Sequence, residues 1–75
     1  MDAYLNRSGV SGVIAYEIGT DFIKVKFQRS NCVYLYNYQV PGARHVEAMK
    51  EKAIDGNGLA TYINRYVSDK YYSKN

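Results

Sequence analysis

The sequence has little of the side chains that build metal, disulfide or catalytic sites. It holds one cysteine, Cys32, and one histidine, His45, in 75 residues. A lone cysteine excludes a disulfide within the chain, and one cysteine with one histidine cannot complete a zinc site from a single chain. A phosphate-binding glycine loop, a nucleophile elbow and a catalytic pair of carboxylates are also missing. We therefore expect a non-enzymatic protein with no metal, no cofactor and no small-molecule substrate.

Long hydrophobic runs are absent as well. No apolar stretch approaches the roughly 20 residues that a helix needs to span a bilayer, and residues 1–9 lack the apolar segment of a signal peptide. A single cysteine fits a reducing compartment. Together these absences predict a cytoplasmic protein without membrane association.

The chain has few charged residues of either sign and many tyrosines. Ten Lys or Arg against seven Asp or Glu give a net charge of +3. That bias favours a polyanionic partner over a polycationic one, although the field is weak. Nine Tyr against two Phe indicate rings that are half-buried or lie at wet surfaces, because Tyr joins a large apolar body to a hydroxyl that needs a partner.

Three segments alternate between apolar and polar residues, as half-buried strands do. They cover residues 13–18, 22–27 and 32–38, and short polar turns between them predict antiparallel hairpins. One face of each strand carries, in strand order, Ile14, Tyr16 and Ile18; Ile23, Val25 and Phe27; and Cys32, Tyr34, Tyr36 and Tyr38. We expect the face of Ile23, Val25 and Phe27 to be buried under both helices together with Tyr34 and Tyr36. Tyr38, near the end of its strand, is expected to reach water.

Two short helices are predicted after Pro41, which ends the sheet because it lacks the N–H that a ladder needs. The first covers residues 43–53. The second follows a break at residues 55–58, with Asn57 as its expected N-cap. Their apolar stripes are Ala43, Val46, Met49 and Ala53, then Leu59, Tyr62, Ile63, Tyr66 and Val67. We thus predict one α+β domain over residues 1–75, a three-stranded antiparallel sheet followed by two helices, with loosely ordered ends at about 1–9 and 72–75.

A Ser-rich start, an alternating hairpin, Tyr-x-Tyr, Val-Pro and two helices separated by a Gly-bearing turn follow one another along the chain. The positions concerned are Ser11, Ile14, Ile23, Val25, Phe27, Tyr34, Leu35, Tyr36, Val40, Pro41, Ala53, Gly58, Ile63 and Tyr71. In this order and spacing they resemble the KTSC domain, a small family named for its occurrence at the C-terminus of lysyl-tRNA synthetases. The resemblance implies the same fold and, through the synthetase context, RNA binding.

The first hypothesis for function is an accessory RNA-binding module. Basic side chains would contact phosphates and exposed tyrosine would contact bases; the candidates are Lys24, Lys26, Arg29, Tyr38, Arg65 and Lys70. The alternative readings are a solvated strand face whose lysines prevent edge pairing, and cations that complement a helix C-terminus. Tyr34 and Tyr36 fit either a base-stacking surface or the core, and we favour the core.

The second hypothesis is a protein-interaction or homodimerisation module with no nucleic-acid ligand. Phe22, Val33 and Leu35 are predicted on the outer side of the sheet, and apolar side chains there indicate a contact surface. We expect His45 to be an ordinary surface side chain. Cys32 is expected to be a buried and unreactive thiol.

Overall fold

The fold is α+β, with one antiparallel sheet and two helices, as predicted. A computed structural model describes residues 1–7, 9, 12–28 and 30–75. Arg29 and Ser11 lie outside the described residues. The elements in chain order are β1 (Asp2–Ala3), β2 (Val13–Ile18), β3 (Phe22–Phe27), β4 (Val33–Asn37), α1 (Ala43–Asp55), α2 (Leu59–Tyr62), a π-helical segment (Ile63–Val67) that continues α2 directly, and β5 (Ser73–Lys74).

The sheet has five strands in the order β1-β2-β3-β4-β5, so the prediction of three strands is wrong. The two additional strands come from the two ends of the chain. Ala3 pairs with Ala15 of β2, and Ser73 pairs with Leu35 of β4. Each of these strands is two residues long, too short for alternation to reveal it in the sequence.

The central strands have the predicted register, with β3 in the middle of the sheet. Ile23 lies opposite Tyr36 and Val25 opposite Tyr34. Ile23, Val25 and Tyr36 are buried beneath the helices. Phe27 and Tyr34 are half-buried and pack against this core. The core reading of the two tyrosines is therefore confirmed, fully for Tyr36 and in part for Tyr34.

A β-bulge in β2 changes which of its residues face the core. Val13 pairs with Phe27, but the next paired residue is Ala15, so Ile14 is the extra residue of the bulge. As a result Val13 enters the core and Ile14 is 42% exposed. The expectation that Ile14 shares one face with Tyr16 is wrong, because a bulge interrupts the two-residue period.

The third predicted strand is shorter than expected at both ends. β4 begins at Val33, and Cys32 before it is half-buried, with its N–H donated to the Ser30 hydroxyl at 3.0 Å. Tyr38 follows the strand and is 43% exposed. The expected deep burial of Cys32 on the core face is therefore wrong.

The first helix is two residues longer than predicted and buries the predicted side chains, Val46, Met49 and Ala53. It ends at Gly56, whose φ of 76° lies in the left-handed region. That conformation closes many helices, and glycine adopts it without steric cost. Gly58, rather than Asn57, is the N-cap of α2.

The second helix buries Leu59, Ile63 and Val67, which lie four residues apart. Tyr66 is predicted in the same apolar stripe but is 50% exposed. The π-helical segment explains the difference. Its i to i+5 hydrogen bonds widen the turn, so residues four apart stay in line over the sheet and Tyr66 is turned away from it.

Candidate functional site

The predicted site residues lie on separate surfaces of the molecule. α1 packs on one face of the sheet, and the buried side chains of both helices form one core there with Ile23 and Val25 of β3. We call the opposite side the outer face. The side chains that it carries are Phe22, Lys24, Lys26, Val33 and Leu35, so the strand lysines of the RNA hypothesis and the apolar residues of the protein-interaction hypothesis share one surface.

Charges of both signs meet at the middle of the outer face. Lys24 lies between Glu17 on β2 and Leu35 on β4, as the strand register places them. Its ammonium is 5.7 Å from the centroid of the Phe22 ring. The ring folds back onto the β2–β3 turn, where a Cβ at Gly19 would overlap it. The outer face is therefore neither strongly basic nor a continuous apolar patch.

Tyr38 is held between a carboxylate and an ammonium group. Its hydroxyl donates to Glu47 Oε2 at 2.7 Å, and Lys50 Nζ is 2.8 Å from the same carboxylate. The hydrogen bond to Glu47 raises the pKa of Tyr38. The hydrogen bonds from Lys50 and then Tyr38 lower the pKa of Glu47. The Lys50 ammonium also lies 5.8 Å from the centroid of the Tyr38 ring, so this tyrosine contacts a carboxylate and a cation at once.

A cleft between the two helices gathers aromatic and cationic side chains. It has a volume of about 470 Å³, within the range of roughly 300–1,000 Å³ that is usual for small-ligand sites. We call it the helical cleft. Its lining residues are Ala48, Lys52, Gly58, Thr61, Tyr62, Arg65 and Tyr66.

Two tyrosine rings line the helical cleft, and His45 contacts one of them from outside the lining. The Tyr62 and Tyr66 centroids are 4.8 Å apart at an interplanar angle of 47°. His45 on α1 places Nδ1 2.7 Å from the Tyr62 hydroxyl, a hydrogen-bond distance. His45 is half-buried and fixes the orientation of the Tyr62 ring, so it has a structural partner that the sequence did not reveal.

The charges around these two tyrosines are positive. Lys52 Nζ lies 5.5 Å from the Tyr62 centroid, and Arg65 lines the same cleft. Burial and then Tyr66 raise the pKa of Tyr62, and the nearby Arg44 lowers it. In the described ranges the only side-chain ion pair joins Lys50 to Glu47. Neither Lys52 nor Arg65 is therefore neutralised by a paired carboxylate in that part of the chain.

Of the five predicted nucleic-acid contacts that lie in the described ranges, Arg65 is the one that lines the cleft. Lys24 and Lys26 are on the outer face, and Lys70 is exposed beyond the π-helical segment. From the sequence, Tyr62 and Tyr66 are expected in a core stripe and Lys52 has no predicted role. The available signal is the choice of residue type: aliphatic side chains occupy positions 59, 63 and 67, whereas tyrosine occupies 62 and 66.

Two further structural properties bear on function. Within the described ranges, no group of three His, Cys, Asp or Glu side chains is placed to hold a metal ion. In the same part of the chain, the helices are too short and too polar to cross a membrane. Comparison of the chain with protein-family models, curated proteins and solved structures gives no match, and the resemblance to the KTSC domain stays a prediction.

Proposed function

We propose that this protein is a non-catalytic accessory module that binds single-stranded RNA through the helical cleft. The observation that carries the proposal is the pairing of a half-exposed aromatic ring, Tyr66, with two cations that no carboxylate of the described residues neutralises, Lys52 and Arg65. Sites for single strands combine these two elements, because cations bind phosphates and aromatic rings bind bases.

RNA is the strand to test first because the sequence resembles a domain that is appended to a tRNA synthetase. The proposal includes membership of that family and a cytoplasmic location. The mild net charge of +3 is consistent with a small, local phosphate site, and it would not support a long electrostatic track.

The test is a fluorescence-anisotropy titration of labelled single-stranded RNA of about 12 nucleotides, at about 50 mM and about 200 mM salt. We expect binding that weakens as salt rises. Arg65→Gln and Lys52→Gln should each weaken binding and lower the salt slope by roughly 0.7 for each phosphate that the variant no longer neutralises. Lys24→Gln, the same charge change on the outer face, is the matched control.

The control decides where the site lies. Affinity of Lys24→Gln within about twofold of the wild type, an energy change near RT ln 2, would locate binding in the helical cleft. Equal losses for Lys24→Gln and Arg65→Gln would instead mean diffuse attraction with no cleft site. Absence of RNA binding at the lower salt concentration would refute the proposal.

A second candidate function is protein interaction or homodimerisation through the outer face. It is favoured by Phe22, Val33 and Leu35, which share a surface over which no described helix packs. If the protein self-associates there, Leu35→Glu should return the solution mass to that of a monomer while leaving RNA affinity unchanged. A wild-type protein that is monomeric at high concentration would contradict the homodimer.

A further inference from the structure

We infer that the helical cleft holds one unpaired nucleotide of the bound strand, with the base against Tyr66 and its phosphate between Lys52 and Arg65. The inference rests on the proposed function and specifies which part of an RNA the site accepts. It follows from the dimensions of the cleft, from the ring that remains available and from the sign of the charges.

The volume of the helical cleft suits one nucleotide of an RNA strand. A volume of about 470 Å³ matches the pockets that enclose small ligands. The helical cleft is bounded by two short helices, and the seven residues that line it all lie between positions 48 and 66. A segment of several stacked bases would extend past these residues, so one base with its phosphate is the part of the strand that the cleft can enclose.

Tyr66 is the ring that can accept the base. Tyr62 already has Lys52 over its ring at 5.5 Å and the Tyr66 ring beside it at 4.8 Å. Its hydroxyl is also engaged with His45. Tyr66 is half-exposed, and the π-helical segment presents it to the cleft. The His45 ring lies 6.3 Å from Tyr66, tilted by 32°, so a base on Tyr66 would have a second aromatic ring nearby.

The charges select the class of ligand. Clusters of aromatic rings also bind organic cations such as methylated ammonium groups. Here Lys52 and Arg65 line the cleft and Arg44 acts on Tyr62, so a cationic ligand would be repelled. A ligand with both an aromatic surface and an anionic group satisfies both features, and a nucleotide has both.

A paired base cannot occupy this position. In a duplex each base is stacked between its neighbours, and its face becomes available only when the nucleotide is unpaired or turned out of the helix. The inferred site therefore discriminates against continuous double-stranded RNA. It accepts a single strand, a single-stranded overhang or a bulge.

The experiment compares three RNAs with nearly the same total number of nucleotides, and therefore nearly the same charge, in the same anisotropy assay: a single strand, a perfect duplex, and a duplex with one bulged nucleotide. We expect the single strand and the bulged duplex to bind roughly 5- to 150-fold more tightly than the perfect duplex, which is the fold-change that corresponds to about 1–3 kcal/mol for stacking on one ring. Adenosine monophosphate should compete with the labelled strand. Tyr66→Ala should remove the preference, and Tyr66→Phe should keep it because the ring is retained.

The outcomes separate this inference from the proposed function. RNA binding that is equal for all three RNAs and unaffected by Tyr66→Ala would overturn the single-nucleotide site and leave RNA binding standing. No binding of any RNA would overturn both. Circular dichroism of Tyr66→Ala should match the wild type, because Tyr66 is outside the buried core; if that variant unfolds, the competition by adenosine monophosphate on wild-type protein decides the question.

Discussion

Individual tyrosines have different environments, and Tyr36 is the most deeply buried of them. It is the largest fully buried side chain, and its ring meets Tyr71 edge-on at a centroid distance of 6.5 Å. Burial raises the pKa of the Tyr36 hydroxyl far above its ordinary value of 10.0, and the neighbouring Tyr34 and Tyr71 hydroxyls raise it further. The folded protein therefore keeps this phenol neutral at pH values where the unfolded chain ionises it.

We expect this difference to destabilise the protein in alkali. Because the pKa is higher in the folded state, the contribution of Tyr36 is complete below pH 10 and is lost above it, by up to about 1.4 kcal/mol per pH unit. Tyr36→Phe retains the ring and removes the hydroxyl. Urea unfolding at about pH 9 and about pH 11 should show a smaller loss for the variant than for the wild type. Equal losses would mean that Tyr36 does not govern alkaline unfolding.

At the scale of elements, the sequence predicts the strands whose apolar residues alternate regularly. It does not predict the strands that form only by pairing with residues distant in the chain. Alternation located β2 and β3 to the residue, because Ile, Val and Phe every second position have one face to cover. The terminal strands could not be predicted, since their two-residue pairing depends on partners that are distant in the chain. The bulge at Ile14 and the π-helical segment are local irregularities that the spacing of apolar residues in the sequence does not reveal.

The same reasons explain how much of the candidate site was foreseen. Arg65 was predicted because a basic residue beside tyrosines is visible in the sequence. Lys52 and His45 belong to the site through the packing of α1 against α2, which no local pattern specifies. The outward position of Lys24 and Lys26 was foreseen correctly, since a one-residue slip would have buried both charges.

The end of α1 offers a test of how a helix is terminated here. The Gly56 N–H donates to the Lys52 and Ala53 carbonyl oxygens at 2.9 and 3.2 Å, and its own carbonyl accepts the Arg7 N–H at 2.7 Å. A Cβ at Gly56 would lie 2.6 Å from the Leu5 Cβ. Gly56→Ala should therefore lower the free energy of unfolding by about 1–2 kcal/mol through the left-handed φ alone, and by more if Leu5 cannot move.

Gly12→Ala is the control for that measurement. A Cβ added at Gly12 would have no described atom within 4 Å, and the φ of this residue is outside the left-handed region. Urea unfolding should leave this variant close to the wild type. A Gly56→Ala protein as stable as Gly12→Ala would show that the cap and its contact with Leu5 contribute little.

At the scale of the whole molecule, the first and last residues complete the sheet. Asn75 and Val33 exchange two backbone hydrogen bonds of 3.0 Å, and Lys74 Nζ is 5.7 Å from the Tyr34 ring centroid. Removal of residues 73–75 should lower the free energy of unfolding by about 1–3 kcal/mol, from net hydrogen-bond contributions of about 0.5–1.5 kcal/mol each. Lys74→Ala, which keeps the backbone pairing, should lower it by no more than about 1 kcal/mol. Thermal unfolding of the two variants compares these effects, and an unchanged melting temperature for the truncated chain would rule out a stabilising β5.

The arrangement of the strands also governs the behaviour of the protein in concentrated solution. The longer strands β2 and β4 are each covered along part of their outer edge by a two-residue strand, β1 or β5. Strands this short offer few free N–H and C=O groups to a neighbouring molecule, which limits the growth of fibrils by strand addition. Proteolysis at either end of the chain would lengthen the open edge of β2 or β4 and so increase the backbone that a second molecule could pair with.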